Sequence, residues 1–212
     1  IYNYCDRWCE RCAFTERCRT SALDVEERGA GNPEDPAKFW DKIAQNLQDA
    51  LEMMQEKASE MGIDLDNIPE EELQAHEERY ENIRKAAQDH PIIKKASSYT
   101  TVTHEWLKNA EPLLAEWREK LIDYYKIGLD ERQSLEEIKS VMDAVEVIRF
   151  YEFFIEVKLM RAITGKMEDQ LSDDDNELDD FPKDHDGSAK IALIAIDNSI
   201  GAWHLMMEEF AE

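Results

Sequence analysis

The sequence predicts an all-α protein: a four- or five-helix bundle with an N-terminal four-cysteine metal-binding segment. Three observations predict it. Apolar residues recur at three- and four-residue steps along most of the 212-residue chain, and no run alternates with period two as a half-buried strand would. Prolines, glycines and capping residues punctuate that pattern at helix-length intervals. All four cysteines fall between positions 5 and 18.

The opening segment, residues 1–28, contains the cysteines and neither Gly nor Pro. Gly29-Ala30-Gly31-Asn32-Pro33 reads as a linker to an acidic helical bundle over 34–212. The first bundle helix has Asp35 as cap and Pro36 at its first position. It carries Phe39, Ile43, Leu47, Ala50, Leu51, Met54, Ala58 and Met61 before Gly62 stops it. That stripe is expected to face a core. A second helix opens at Asn67–Pro69, with three glutamates in its first turn where the helix dipole favours negative charge. Its stripe of Leu73, Tyr80, Ile83 and Ala87 is thin, which predicts a peripheral position. The third begins after His90-Pro91 and runs to Gly128, with a kink expected at Pro112. The fourth opens on a Ser134/Glu137 capping box, passes through a dense apolar stretch from Ile138 to Ile163 and stops at Gly165; its aromatics mark it as the central helix. Ten Asp or Glu between Glu168 and Asp186 then face a single Lys, the composition of a solvated connector. The last helix starts near Ser188.

Charge narrows the function. With 25 Lys and Arg against 49 Asp and Glu, the formal net charge is -24. Nucleic acid and anionic membrane surfaces both require clustered basic residues, so neither is an expected partner. No apolar run reaches the roughly 18 residues of a spanning helix, and the first residues lack the basic start and apolar run of a signal peptide. A cytoplasmic setting and a protein partner are the expectations.

Chemistry concentrates in Cys5-x3-Cys9-x2-Cys12-x5-Cys18. Scattered at random, four cysteines would almost never crowd into fourteen positions. Disulfides at that density belong to small secreted scaffolds, whereas this chain is long enough to build a core. The four thiols are therefore expected to ligate one metal centre, an iron–sulfur cluster or zinc. Cys5, Cys9 and Cys12 would share one face of a helix. In one unbroken helix the Cα atoms of Cys5 and Cys12 lie about 10.5 Å apart. Two sulfurs on zinc span at most about 9.4 Å between Cα atoms, given Zn–S bonds of about 2.3 Å. A 4Fe-4S cluster spreads its ligands farther, over about 12 Å. An unbroken helix thus favours the cluster, and a local turn would readmit zinc. Arg7, Arg11, Arg17 and Arg19 could donate to sulfur, while Tyr2, Tyr4, Trp8 and Phe14 could shield it from water.

The Cys5-x3-Cys9-x2-Cys12 triplet is similar to the cluster motif of radical S-adenosylmethionine enzymes, a resemblance confined to eight residues. Those enzymes are built on a β/α barrel and leave one iron open for the cofactor. This chain shows no strand pattern and supplies a fourth cysteine, so their activity does not transfer.

A second site inside the bundle is conceivable. Di-iron bundles use Glu-x2-His twice, and none of the five histidines has a glutamate three residues before it. Asp197, His204 and Glu208 nevertheless share a face of the last helix, and Glu152 and Glu156 lie on one side of the fourth. These five are the candidate ligands if the cluster passes electrons to a bundle site in a redox enzyme. The simpler expectation is an interaction, regulatory or redox-sensing module whose polar stripes are solvated or ion-paired.

Overall fold

The computed structural model describes residues 5–22, 36–62, 64–65, 68–128, 131–171 and 183–210. Among these every regular element is helical, and no strand occurs. Two short 3-10 turns, Cys9–Arg11 and Thr15–Arg17, are followed by α1 (Pro36–Glu60), α2 (Glu70–Asp89), α3 (Pro91–Lys126), α4 (Glu131–Leu171) and α5 (Asp184–Glu209). The linker at 29–33, the Asp35 cap and the middle of the acidic connector lie outside the described residues. The chain forms two compact units, one of Ile1–Asp6 with Tyr80–Glu212 and one of Arg7–Arg79.

In the larger unit the core lies between α3, α4 and α5. Leu107 of α3 packs with Val141, Ala144, Val145 and Ile148 of α4 and with Ala202 and Met206 of α5. Around them stand Trp106 and Trp203, whose rings meet edge to face with centroids 4.7 Å apart. α5 buries a row of small residues, Ser188, Ala192, Ala195, Ser199 and Ala202, at three- and four-residue steps. Short side chains let backbones approach closely, which makes α4 and α5 the most extensively packed pair.

Local signals placed most helix ends. His90 caps α3, its Nδ1 accepting from the Ile92 amide at 3.3 Å, with Pro91 at the first position. Gly62 and Gly128, both with φ 72°, follow the ends of α1 and α3, where a left-handed residue costs glycine little. α3 continues unbroken through Pro112. α4 departs from expectation at both ends. It begins at Glu131, so Ser134 lies within it, and it runs six residues past Gly165 to Leu171. Gly165 is there for packing and stops nothing: a Cβ on it would stand 3.0 Å from the His185 Cβ of α5. α5 starts at Asp184, earlier than expected, with Asp184 and Asp186 in its first turn.

The stripe of α1 is a correction. It was expected to face a core, yet Leu47, Leu51 and Met54 are 62, 54 and 52 % exposed, and among its described side chains only Ala58 is buried. α2 matches its thin stripe, burying Ile83 and Ala87 while Leu73 stays exposed. Among the described residues no helix is long and apolar enough to cross a membrane.

Candidate metal centre

The cysteine segment is not one helix. Arg7 has φ 63°, a left-handed conformation that interrupts any helix between Cys5 and Cys9. The chain then makes two consecutive 3-10 turns. In the first, the Arg11 amide donates to Trp8 O at 3.1 Å and the Cys12 amide to Cys9 O at 3.2 Å. In the second, Arg17 donates to Phe14 O and Cys18 to Thr15 O. Cys12 and Cys18 thus hold the same place, the extended residue that ends each turn. Thr15 ties the two together, its hydroxyl donating to Cys9 O at 2.6 Å and Cys12 O at 2.9 Å. The geometric preference for a cluster over zinc required an unbroken helix, and these turns remove it.

Each of the four cysteines is half-buried, and none is in a disulfide. The Phe14 amide donates to Cys12 Sγ at 3.4 Å. Arg11 lies over the Trp8 ring at 4.3 Å and Arg17 over Phe14 at 5.4 Å. Trp8 is buried, whereas Phe14 is 62 % exposed and shields nothing. Tyr2 and Tyr4 lie outside the described residues. Among the described residues no three His, Cys, Asp or Glu side chains are gathered into a set able to hold a metal ion.

The five bundle candidates are likewise not brought together. Asp197 is exposed, and His204 and Glu208 form a solvent-facing pair at 3.3 Å, each about 70 % exposed. Glu156 is half-buried. Glu152 is buried and engaged: its Oε1 lies 2.7 Å from His104 Nδ1, and its backbone carbonyl accepts from Thr100 at 3.1 Å. A groove of about 540 Å³ between α3 and α4 is lined by Leu107, Leu114, Arg118, Lys139, Met142 and Arg149, among others, and by none of the five.

Several polar contacts had no signal in the sequence, because they join residues far apart in the chain. Tyr151 donates to Asp6 Oδ2 at 2.7 Å and accepts from Asn198 at 3.1 Å, which anchors the residue after Cys5 to α4 and α5. Tyr99 meets Ser199 at 2.5 Å and accepts from Trp203 Nε1 at 3.1 Å. His185 is buried with its Nε2 making no hydrogen bond among the described residues. No protein-family model, no curated protein and no solved structure matches the chain.

Proposed function

We propose that the chain is a metal-binding interaction module in which Cys5, Cys9, Cys12 and Cys18 ligate one centre, an iron–sulfur cluster or a zinc ion. The observation that carries this reading is the crowding of every cysteine into positions 5–18, three of them on two linked turns, with a backbone amide directed at the sulfur of Cys12. Ligation would draw the sulfurs together, because for short cysteine segments the free energy of metal binding is also free energy of folding. Zinc would supply a structural staple, and a cluster would add sensitivity to redox state or iron. Four reduced cysteines suit a reducing compartment. The redox-enzyme alternative needs an electron acceptor in the bundle, and the arrangement of Glu152, Glu156, Asp197, His204 and Glu208 lends it no support.

The test is anaerobic purification of the full chain from cells supplied with iron and zinc, followed by metal analysis and a visible spectrum. Broad visible absorption bleached by dithionite identifies a cluster, and a colourless protein with one zinc identifies zinc. Cys12→Ser is expected to lose the metal in either case. The reading fails if the wild-type chain carries neither metal, if Cys12→Ser retains its full content, or if mass spectrometry finds the cysteines joined as two disulfides.

A further inference from the structure

The exposed apolar face of α1 has a regular register. Ala44, Leu47, Leu51 and Met54 follow one another at alternating three- and four-residue steps, the a and d positions of a heptad repeat, and Trp40 extends the row at its N-terminal end, while Ala58, next in register, is already buried within the chain. A strict 3.5-residue repeat fits another helix lying alongside, because only a supercoiled partner keeps such a seam covered along its length. Ala44 to Met54 are all exposed.

We propose that this seam pairs with the same seam of a second copy of the chain, antiparallel, about a two-fold axis near Asp49. Side-chain size supports self-pairing in that direction. In the antiparallel register, a faces d′: Leu47 meets Leu51 of the second copy and Ala44 meets Met54, so the small residue opposes a large one. A parallel pair would stack alanine on alanine at 44 and leave a gap.

Charge supports it as well. In a chain of net charge -24 most faces repel their own copies. The positions flanking this seam would bring Gln48 against Gln48, Ala50 against Ala50, Ile43 against Lys57 and Asp41 against Gln55, with no like charges opposed. The other acids of α1 sit elsewhere, Asp49 and Glu56 on the far side and Glu52 and Glu60 toward the rear. Each pairing is reciprocal, as a two-fold interface requires. The proposal stands independently of the metal reading.

Sedimentation equilibrium on the full chain tests it. Between about 1 µM and about 200 µM the average mass is expected to rise from the 24.8 kDa of one chain toward twice that value, by mass action. Leu47→Glu alone and Leu51→Lys alone each bury an unpaired charge in the seam and are expected to keep the chain monomeric. An equimolar mixture of the two should dimerise again, because antiparallel pairing sets Glu at 47 of one copy against Lys at 51 of the other. A parallel pair would bring no such partners together. Both residues are exposed, so circular dichroism should show each variant as helical as the wild type. Three results overturn the proposal: a single-chain mass throughout, a dimer that neither substitution weakens, or a mixture no heavier than its components.

Discussion

Two glycines inside helices of the larger unit give opposite expectations for one substitution. Gly201 lies in α5 with nothing within 4 Å of where a Cβ would stand, and Gly165 lies in α4 with the His185 Cβ 3.0 Å away. Replacing an exposed mid-helix glycine by alanine recovers about 1 kcal/mol of helix propensity. Gly201→Ala should therefore stabilise by about that much. Gly165→Ala gains the same propensity but also an overlap, since carbon atoms prefer separations of about 3.5–4.0 Å. The atom it meets cannot swing aside, because a Cβ moves only with its backbone. Relief means parting α4 from α5 by about half an ångström at that contact, and overpacking of that kind costs about 1–3 kcal/mol. The net for Gly165→Ala is a loss of up to about 2 kcal/mol. Chemical denaturation followed by Trp fluorescence should find the two midpoints displaced in opposite directions with unchanged slopes. Were Gly165→Ala to stabilise as much as Gly201→Ala, the close approach of the two helices would be refuted.

The buried Glu152 depends on His104 for its contact at the carboxylate, so His104→Ala should cost about 1–3 kcal/mol. The double variant with Glu152→Leu should recover part of that loss, and strict additivity in the cycle would deny the coupling. At the other end of α4, the hydrogen bond from Lys183, 2.6 Å away, holds the Asp169 carboxyl below its ordinary value. A lowered carboxyl stabilises the fold above its ordinary value of about 3.9 and loses that contribution as pH falls through the folded-state value. Carboxyl titration by NMR should show Asp169 charging below that ordinary value, and Lys183→Met should return it upward. No movement in that variant would assign the shift to another cause.

Helices were legible where the signal was local. The proline and histidine that open α3, the glycines that end α1 and α3, and the thin stripe of α2 act within a turn or two of where they stand, so a linear reading reaches them. Gly165 and Ser134 were misjudged for one reason. Both residue types are ambiguous in sequence: glycine serves as a stop or as a close contact, and serine as a cap or as an ordinary helix residue. For Gly165 only the partner helix decides, and His185 lies twenty positions away. The same limit hid the links between Asp6 and Tyr151 and between His104 and Glu152. The cysteine cluster was legible as a cluster; its backbone was not, because Arg7 takes a left-handed conformation that no residue near it announces.

The unit of Arg7–Arg79 gives the proposed metal and the proposed pairing a shared physical cause. Among its described residues only Trp8, Ser21 and Ala58 are buried. Ordering a residue's backbone costs about 1–2 kcal/mol, and so few buried side chains return a small fraction of that. Small units that cannot build a core are commonly held by metals or by association. This unit holds the residues suited to each, in separate places: Cys9, Cys12 and Cys18 on the turns, Ala44 to Met54 on α1. The larger unit needs neither, because Ile148, Val141 and their neighbours already exclude water. Loss of the proposed metal or of the proposed pairing should therefore loosen the smaller unit and leave the α3–α5 core intact, which hydrogen exchange can resolve residue by residue. Amides of α4 losing protection in Cys12→Ser or Leu47→Glu would show that the two units do not divide the stability in this way.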